Sequence, residues 1–334
     1  MSTAALVPET SERHGDSAWA TLVQAGRRRL LVDAFLRLRV SDGFTHARSL
    51  ALMTALVAVQ GLVAVIGVAS AVGGEGVGLA AEKITRTVAP GPVGEALLTA
   101  IEEARANGGA RRYVAIAVGL LGALVSGMTA MGQLQRSLNR LYGLEQDRPT
   151  LEKYGLAFAL ALSAGVLMTA AFGAIAFGDA IGASIGDNVL TPIWGIGRIP
   201  LALSALAAAV ALLLRVCPRR QQPSWAWLAP GAVVAVAAWA LVTVALGAAL
   251  DISPSFGDAY GPLAGVGALL LWALLSSIAV LYGAALAAEL EAVRAAAPGP
   301  QDPAKLVSPP SVPNGSTAPA SEDSTPVRRL LPGS

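Results

Sequence analysis

A chain of 334 residues that is 54% hydrophobic and 14% charged carries too little charge for a soluble globular protein, where about a quarter of residues are charged. Its mean hydropathy of +0.59 is concentrated in long uncharged blocks, the pattern of membrane spans and not of one large soluble core. A net charge of +2 points to no nucleic-acid partner, and Cys217 with only His14 and His46 excludes an internal disulfide and leaves little for metal or triad chemistry.

Residues 1–16 are polar and unpatterned and are expected to be disordered. Residues 17–48 turn amphipathic and basic, with Trp19, Leu22, Val23, Leu30 and Phe35 set against Arg27, Arg28, Arg29, Arg37 and Arg39. This pattern predicts an interfacial helix on an anionic membrane face. The apolar block that follows starts too late and runs too long for a cleaved signal peptide.

Charges that do not enter lipid then frame a membrane domain over 49–291 with six spans, at about 49–72, 113–135, 154–178, 199–216, 229–250 and 260–288. In the fourth, only Ile199 to Leu214 separates Arg198 from Arg215, about 24 Å of helix against a hydrocarbon core of ~30 Å. Either an arginine snorkels there or the preceding Thr191–Pro200 segment enters as irregular backbone. The last uncharged stretch, Tyr260 to Ala288, exceeds a perpendicular crossing and predicts tilt or protrusion. Between the first two spans, Pro92 to Asn107 reads as a short helix over the outer mouth. Residues 298–334 hold nine of the twenty prolines and are expected to form a disordered tail.

Of the 24 Lys and Arg, 18 fall on the side that carries both termini, which places both termini in the cytoplasm. Tyr113, Tyr142, Tyr154, Trp194, Trp225, Trp227 and Tyr260 sit at predicted span ends, where interfacial aromatics belong, whereas Trp239 and Trp272 are expected inside the bundle.

The most specific stretch is Gly127 to Gly143, where an apolar helix runs into an arginine-bearing one. Met131, Leu134, Leu138 and Leu141 continue an apolar face while Arg136 and Arg140, four apart, share another with Gln133. The helix is expected to leave the hydrocarbon near Gln133. Gln133, Gln135, Arg136, Asn139 and Arg140 are candidates for holding a lipid phosphate or another anion, although a topology anchor is the leading reading. Small residues at Ala157, Ala161, Gly165, Thr169 and Gly173, and at Gly119, Ala123 and Gly127, predict close helix packing. The buried polar candidates are Gln60, Thr243, Ser276, Ser277 and Tyr282, each expected to serve an interhelical hydrogen bond before a ligand. His46 reads as an interfacial residue, and Cys217 as a boundary residue with S-palmitoylation as the alternative.

Three segments carry a resemblance: LQRSLNRLYG (Leu134 to Gly143) followed by Arg148-Pro149; PSWAWLAPGAVVAVAAW (Pro223 to Trp239); and SFGDAYGPLAGVGALLLWALLSSIAVLYGAALAAELE (Ser255 to Glu291). With the spans between them, the chain resembles the YihY/virulence factor BrkB family of bacterial inner-membrane proteins over roughly Leu30 to Arg294. The first span departs from the family pattern, reading LALMTALVAVQGLVAV (Leu50 to Val65), which is nearer a YhjD-like branch. The resemblance implies an all-α polytopic protein of six transmembrane helices with cytoplasmic termini.

Some family members carry a ribonuclease label. RNA hydrolysis calls for a metal-binding carboxylate or histidine cluster, or a positioned histidine pair, which these residues do not offer. The expectation is a non-enzymatic inner-membrane protein; the resemblance, together with the arginine-bearing 127–143 stretch, implies one that moves or organises a lipid or envelope precursor, with a scaffold recruiting cytoplasmic partners as the alternative. The partners expected are membrane lipids, a homo-oligomer remains open, and neither a cofactor nor a metal is implied.

Overall fold

The computed structural model describes residues 4–13, 17–72, 110–176, 178, 190–252, 262–297 and 299–300, which all fall in one compact unit. Among them are eight helices and no strand. In chain order these are α1 (Ala18–Ala25), α2 (Arg27–Val40), α3 (Gly43–Val72), α4 (Ala110–Leu141), α5 (Thr150–Ala176), α6 (Leu190–Val216), α7 (Trp225–Ile252) and α8 (Pro262–Arg294). Five of them, α4 to α8, are long and apolar enough to cross a membrane. The first framed span, 49–72, lies in α3, whose side chains beyond residue 61 fall outside the described residues.

Each long helix packs on the next, α3 on α4 through α7 on α8, and α8 returns to α3, so the six close a ring. The loops after α4 and α6, the N-terminal segment and the end of α8 meet at one end. There Arg37 reaches Leu141 and Glu289, and Arg220 reaches Val7 and Glu291. We call this the basic end.

The tightest crossing is where Gly231 of α7 meets Gly283 of α8. A methyl group on either would strike the other's carbonyl oxygen, so the two backbones touch as small residues in membrane interfaces allow. The predicted small-residue seam is present where Gly127 faces Ala161 across α4 and α5, but Gly165 and Gly173 face open space.

Three expectations change. The 17–48 segment is not one helix but a hairpin of two, followed by the start of α3. Ser17 caps α1 by accepting the Ala20 N–H, Gly26 turns the chain at φ +82°, a left-handed value that suits glycine, and α2 returns against α8. Ser41 and Asp42 then turn the chain into α3. Residues 4–13 of the presumed disordered start are packed. Ala4, Val7 and Thr10 are buried, with N–H bonds from Ala4 to the Arg140 carbonyl (3.2 Å) and from Val7 to the Tyr142 carbonyl (3.1 Å). An extended segment docked on helix ends leaves no periodic pattern to recognise.

The third change is that α6 runs through Arg198 and Pro200 as one helix of 27 residues, about 40 Å, so Thr191–Pro200 is not irregular backbone. Arg198 framed the span too late because an arginine at its end does not stop a helix. Trp194 and Arg198, four apart, lie together against Gly178, whose carbonyl accepts the Trp194 indole N–H at 2.7 Å. The Pro92–Asn107 helix lies outside the described residues, as does the 298–334 tail except for 299–300.

Candidate functional site at the basic end

Past Gln133, where the sequence has it leave the hydrocarbon, α4 stays packed in the protein. It continues as one helix to Leu141, and Leu134, Gln135, Ser137, Leu138, Asn139 and Leu141 are all buried by protein. The helix ends at Tyr142 and Gly143; Gly143 adopts φ +83°, which suits glycine, and a side chain there would also overlap the backbone of Leu6.

Asp147, in the loop after α4, is the anion that the arginine-bearing face meets. Its carboxylate accepts from Arg136 Nε (3.2 Å), Asn139 Nδ2 (3.0 Å) and Lys153 Nζ (3.2 Å). Burial alone would raise its pKa, but the Asn139 amide, the Lys153 ammonium and Arg136 outweigh that and hold it below its ordinary value. Asn139 is used at both ends, since its Oδ1 accepts the Arg219 backbone N–H at 2.8 Å. Arg140 donates to the Leu144 carbonyl at 3.4 Å, and Gln135 donates to the Lys153 carbonyl at 3.3 Å. Gln133 is half-buried and contributes its carbonyl to Ser137. Of the five anion candidates, then, the fold brings Arg136 and Asn139 together on Asp147 and leaves Gln133, Gln135 and Arg140 to the flanks.

Arg148 closes the neighbouring helix. Its guanidinium donates to the carbonyls of Val216 (3.3 Å), Cys217 (2.6 Å) and Pro218 (2.9 Å), the groups that the end of α6 leaves unpaired. Beneath it, Cys217 is fully buried, and burial pushes its thiol up to about 12, with Arg148 pulling the other way. No accessible thiolate is left there for acylation. His46 is also buried, not interfacial. Desolvation lowers its pKa against the pull of Asp42, Arg136 and Arg140 lower it further, and its Nε2 has no hydrogen-bond partner.

Two fully buried ion pairs were not anticipated. Arg37 Nε lies 2.5 Å from Glu289 Oε1, and its Nη1 donates to the carbonyls of Ala5 (3.0 Å) and Leu141 (2.9 Å). Arg220 pairs with Glu291 at 2.7 Å, donates to the Val7 and Pro8 carbonyls, and stacks 4.8 Å from the ring of the buried Tyr142. Thr10 donates its hydroxyl to the same Glu291 oxygen at 2.9 Å. Arg294 donates to the Thr10 carbonyl and lies 4.2 Å from the Trp227 ring. Tyr142 and Trp227, placed by sequence at a lipid interface, are enclosed in this cluster. A signal for Arg37 did exist: Leu30, Ala34, Arg37 and Leu38 form one helical stripe, and all four are buried.

The buried polar candidates divide. Thr243 accepts the Trp272 indole N–H at 3.1 Å across α7 and α8 and returns its own proton to the Trp239 carbonyl. Tyr282 donates to the Leu31 carbonyl at 3.1 Å, and Ser277 to the Ala273 carbonyl at 2.7 Å within its own helix. Gln60 lies against Gly122, and its Oε1, like the Ser276 hydroxyl, is buried without a partner. Trp239 and Trp272 are partly buried between helices, Trp239 in a T-shaped contact with Phe172.

Among the described residues, no group of three His, Cys, Asp or Glu is placed to hold a metal ion. Long apolar helices, a basic end tied by charge-assisted bonds and apolar faces turned outward define a multi-pass α-helical membrane protein. The chain belongs to the virulence factor BrkB family, whose model it matches over residues 34–306.

It is 28% identical over 186 residues to a UPF0761 membrane protein of Stenotrophomonas maltophilia (strain R551-3), a match covering 53% of this chain and 42% of the relative. A UPF0761 membrane protein of Rhodospirillum rubrum is 30% identical over 187 residues, covering 53% of this chain and 41% of that one. A Bacillus subtilis protein, YfkH, whose name calls it ribonuclease-like, is 24% identical over 173 residues, covering 50% and 62%. The chain thus spans less than half the length of the UPF0761 relatives it matches here. No solved structure matches it.

Proposed function

We propose that this is a six-span protein of the bacterial inner membrane, with α3 as the first span and both termini in the cytoplasm, that moves or organises an amphiphile such as a lipid or an envelope precursor without covalent chemistry. What supports the reading is the outer half of α6. From Pro192 to Leu201 every residue except Trp194 and Arg198 is exposed, with Ile193, Ile196, Ile199 and Leu201 among them. An apolar helix exposed nearly all round is stable only where hydrocarbon surrounds it, on its ring-facing side as well as outside. Acyl chains are the natural occupants of that space, and the Lys and Arg bias supports the orientation.

Reconstitution into vesicles with fluorescent phospholipids or lipid-linked precursors, followed by leaflet-specific quenching, tests this. The expected result is protein-dependent movement between leaflets, reduced when Ile196→Trp fills the space beside α6. If the Arg136→Ala, Arg140→Ala double variant also slows movement, the anion-holding role of those residues at the basic end is supported as well. No protein-dependent movement of any tested amphiphile overturns the reading.

A further inference from the structure

The α1–α2 hairpin is too polar to be a span and too apolar outside to be left in water. Trp19 is 65% exposed, and Val23, Leu31, Val32 and Phe35 are exposed beside it. Between them stand Arg27, Arg28, Arg29 and Arg39, all exposed. Arg29 lies 3.5 Å from Asp33, and Arg27 lies 5.8 Å from the Trp19 ring. Arg28 and Arg39 have no acidic partner among the described residues, so the surface carries surplus positive charge.

Two contacts fix the hairpin's direction. Tyr282 bonds the Leu31 carbonyl, and Arg37, six residues further along α2, pairs with Glu289, seven further along α8. At ~1.5 Å per residue these advances are about 9 and 10 Å, so α2 runs beside α8 in the same sense, toward the basic end. Arg27 to Arg29 therefore lie farther from that end than Arg37 does. Tyr282 precedes Arg294 by about 18 Å of helix, and the arginine triplet begins about a turn beyond Tyr282. With 33 residues, α8 is about 50 Å long, roughly 20 Å more than the hydrocarbon core. With the far end of α8 level with the far face of the hydrocarbon, the hairpin tip falls where the bilayer surface meets α8, and the hydrocarbon keeps its arginines from going further in.

We propose that the α1–α2 hairpin docks on the anionic phospholipid headgroups of the bilayer that holds the ring. Arg27, Arg28 and Arg29 take headgroup phosphates through charge-assisted hydrogen bonds, and Trp19, against Arg27, seats with Val23 at the polar–apolar boundary. This docking does not depend on lipid movement.

The test uses the full chain with Cys217→Ala and a spin label on Val23→Cys, in nanodiscs of phosphatidylcholine alone or mixed with phosphatidylglycerol. Collision with a water-soluble nickel chelate is expected to fall several-fold when phosphatidylglycerol is present. Arg27→Gln, Arg28→Gln and Arg29→Gln together are expected to abolish that difference. Arg28→Gln with Arg39→Gln, which break no ion pair of the fold, are expected to reduce it. Equal nickel access in the two lipids, whether high or low, overturns the proposal, as does a difference that survives the triple replacement. Spin–spin broadening between two copies would assign the surface to a second copy and overturn it too.

Discussion

Along α6, Leu206, Val210, Leu213 and Leu214 are buried, whereas Ile193, Ile196, Ile199 and Leu201, a few turns toward the other end, are exposed. The same division runs along α7 and α8. On α7 the buried positions stop at Val236, and on α8 they begin at Ala273. Both halves are built from the same apolar residue types, so composition does not explain the difference. What separates them is polar organisation. The basic end adds Arg37–Glu289, Arg220–Glu291 and the Asp147 cluster, which tie α2, α4, α5, α8 and the N-terminal segment together. In hydrocarbon, apolar side chains gain nothing by leaving lipid for one another, so helices hold together where small residues and polar bonds draw them in. This also explains the long uncharged end of α8: Ala284, Ala285, Leu286, Ala287 and Ala288 need no lipid around them, because protein buries them.

The largest effect is expected from a side chain at the α7–α8 crossing. Gly283→Leu drives Cβ into the Gly231 carbonyl and Ala235. We expect a loss of about 4–5 kcal/mol or more, read as no monodisperse protein on gel filtration. Next, Arg37→Met leaves Glu289 buried and unpaired, for a loss of about 3–5 kcal/mol in thermal denaturation. Adding Glu289→Leu should recover part of it, because no uncompensated charge then remains. Full recovery is not expected, since the Ala5 and Leu141 carbonyls stay without their donor.

A smaller loss, about 1.5–3 kcal/mol, is expected for Asp147→Asn, which removes the acceptor shared by Arg136 and Lys153. Since the Asp147 pKa is lowered on folding, its contribution is present above the ordinary value of 3.8 and is lost as pH falls through the lower folded value. Asp147→Asn should remove that acid step. His46 acts at higher pH. Its pKa is lowered below 6.5 in the fold, so protons favour unfolding and stability declines as pH drops beneath 6.5, a decline that His46→Gln should flatten. The smallest effect lies in the sparse half. Thr243→Val breaks the bond from Trp272 and should cost about 0.6 kcal/mol, no more than about 1.7, by steric-trap unfolding in bicelles.

The helical class and the five long apolar helices were legible because uncharged blocks and their bounding charges are local signals. What stayed hidden was pairing over distance. Glu289 lies 252 residues from Arg37, and nothing local distinguishes it from a carboxylate at a helix end. The stripe at 127–143 is legible as an anion-holding face, yet nothing local says that its anion is Asp147, a few residues downstream in a loop. Loop carboxylates carry no periodicity, so only the fold shows which way they point. The packed segment 4–13 was hidden for the same reason, since it contributes mainly backbone bonds that any sequence can make.

The contrast between the halves is tested most directly by labelling from the lipid phase. A photoactivatable carbene probe dissolved in the bilayer, with peptide mapping of the reconstituted protein, should mark Ile193, Ile196, Ile199 and Leu201 on all exposed faces of α6 and leave Leu206, Leu213 and Leu214 unmarked. Labelling confined to one side of residues 192–201, or equal labelling along the whole of α6, would contradict an apolar outer half standing open to lipid beside a protein-packed basic end.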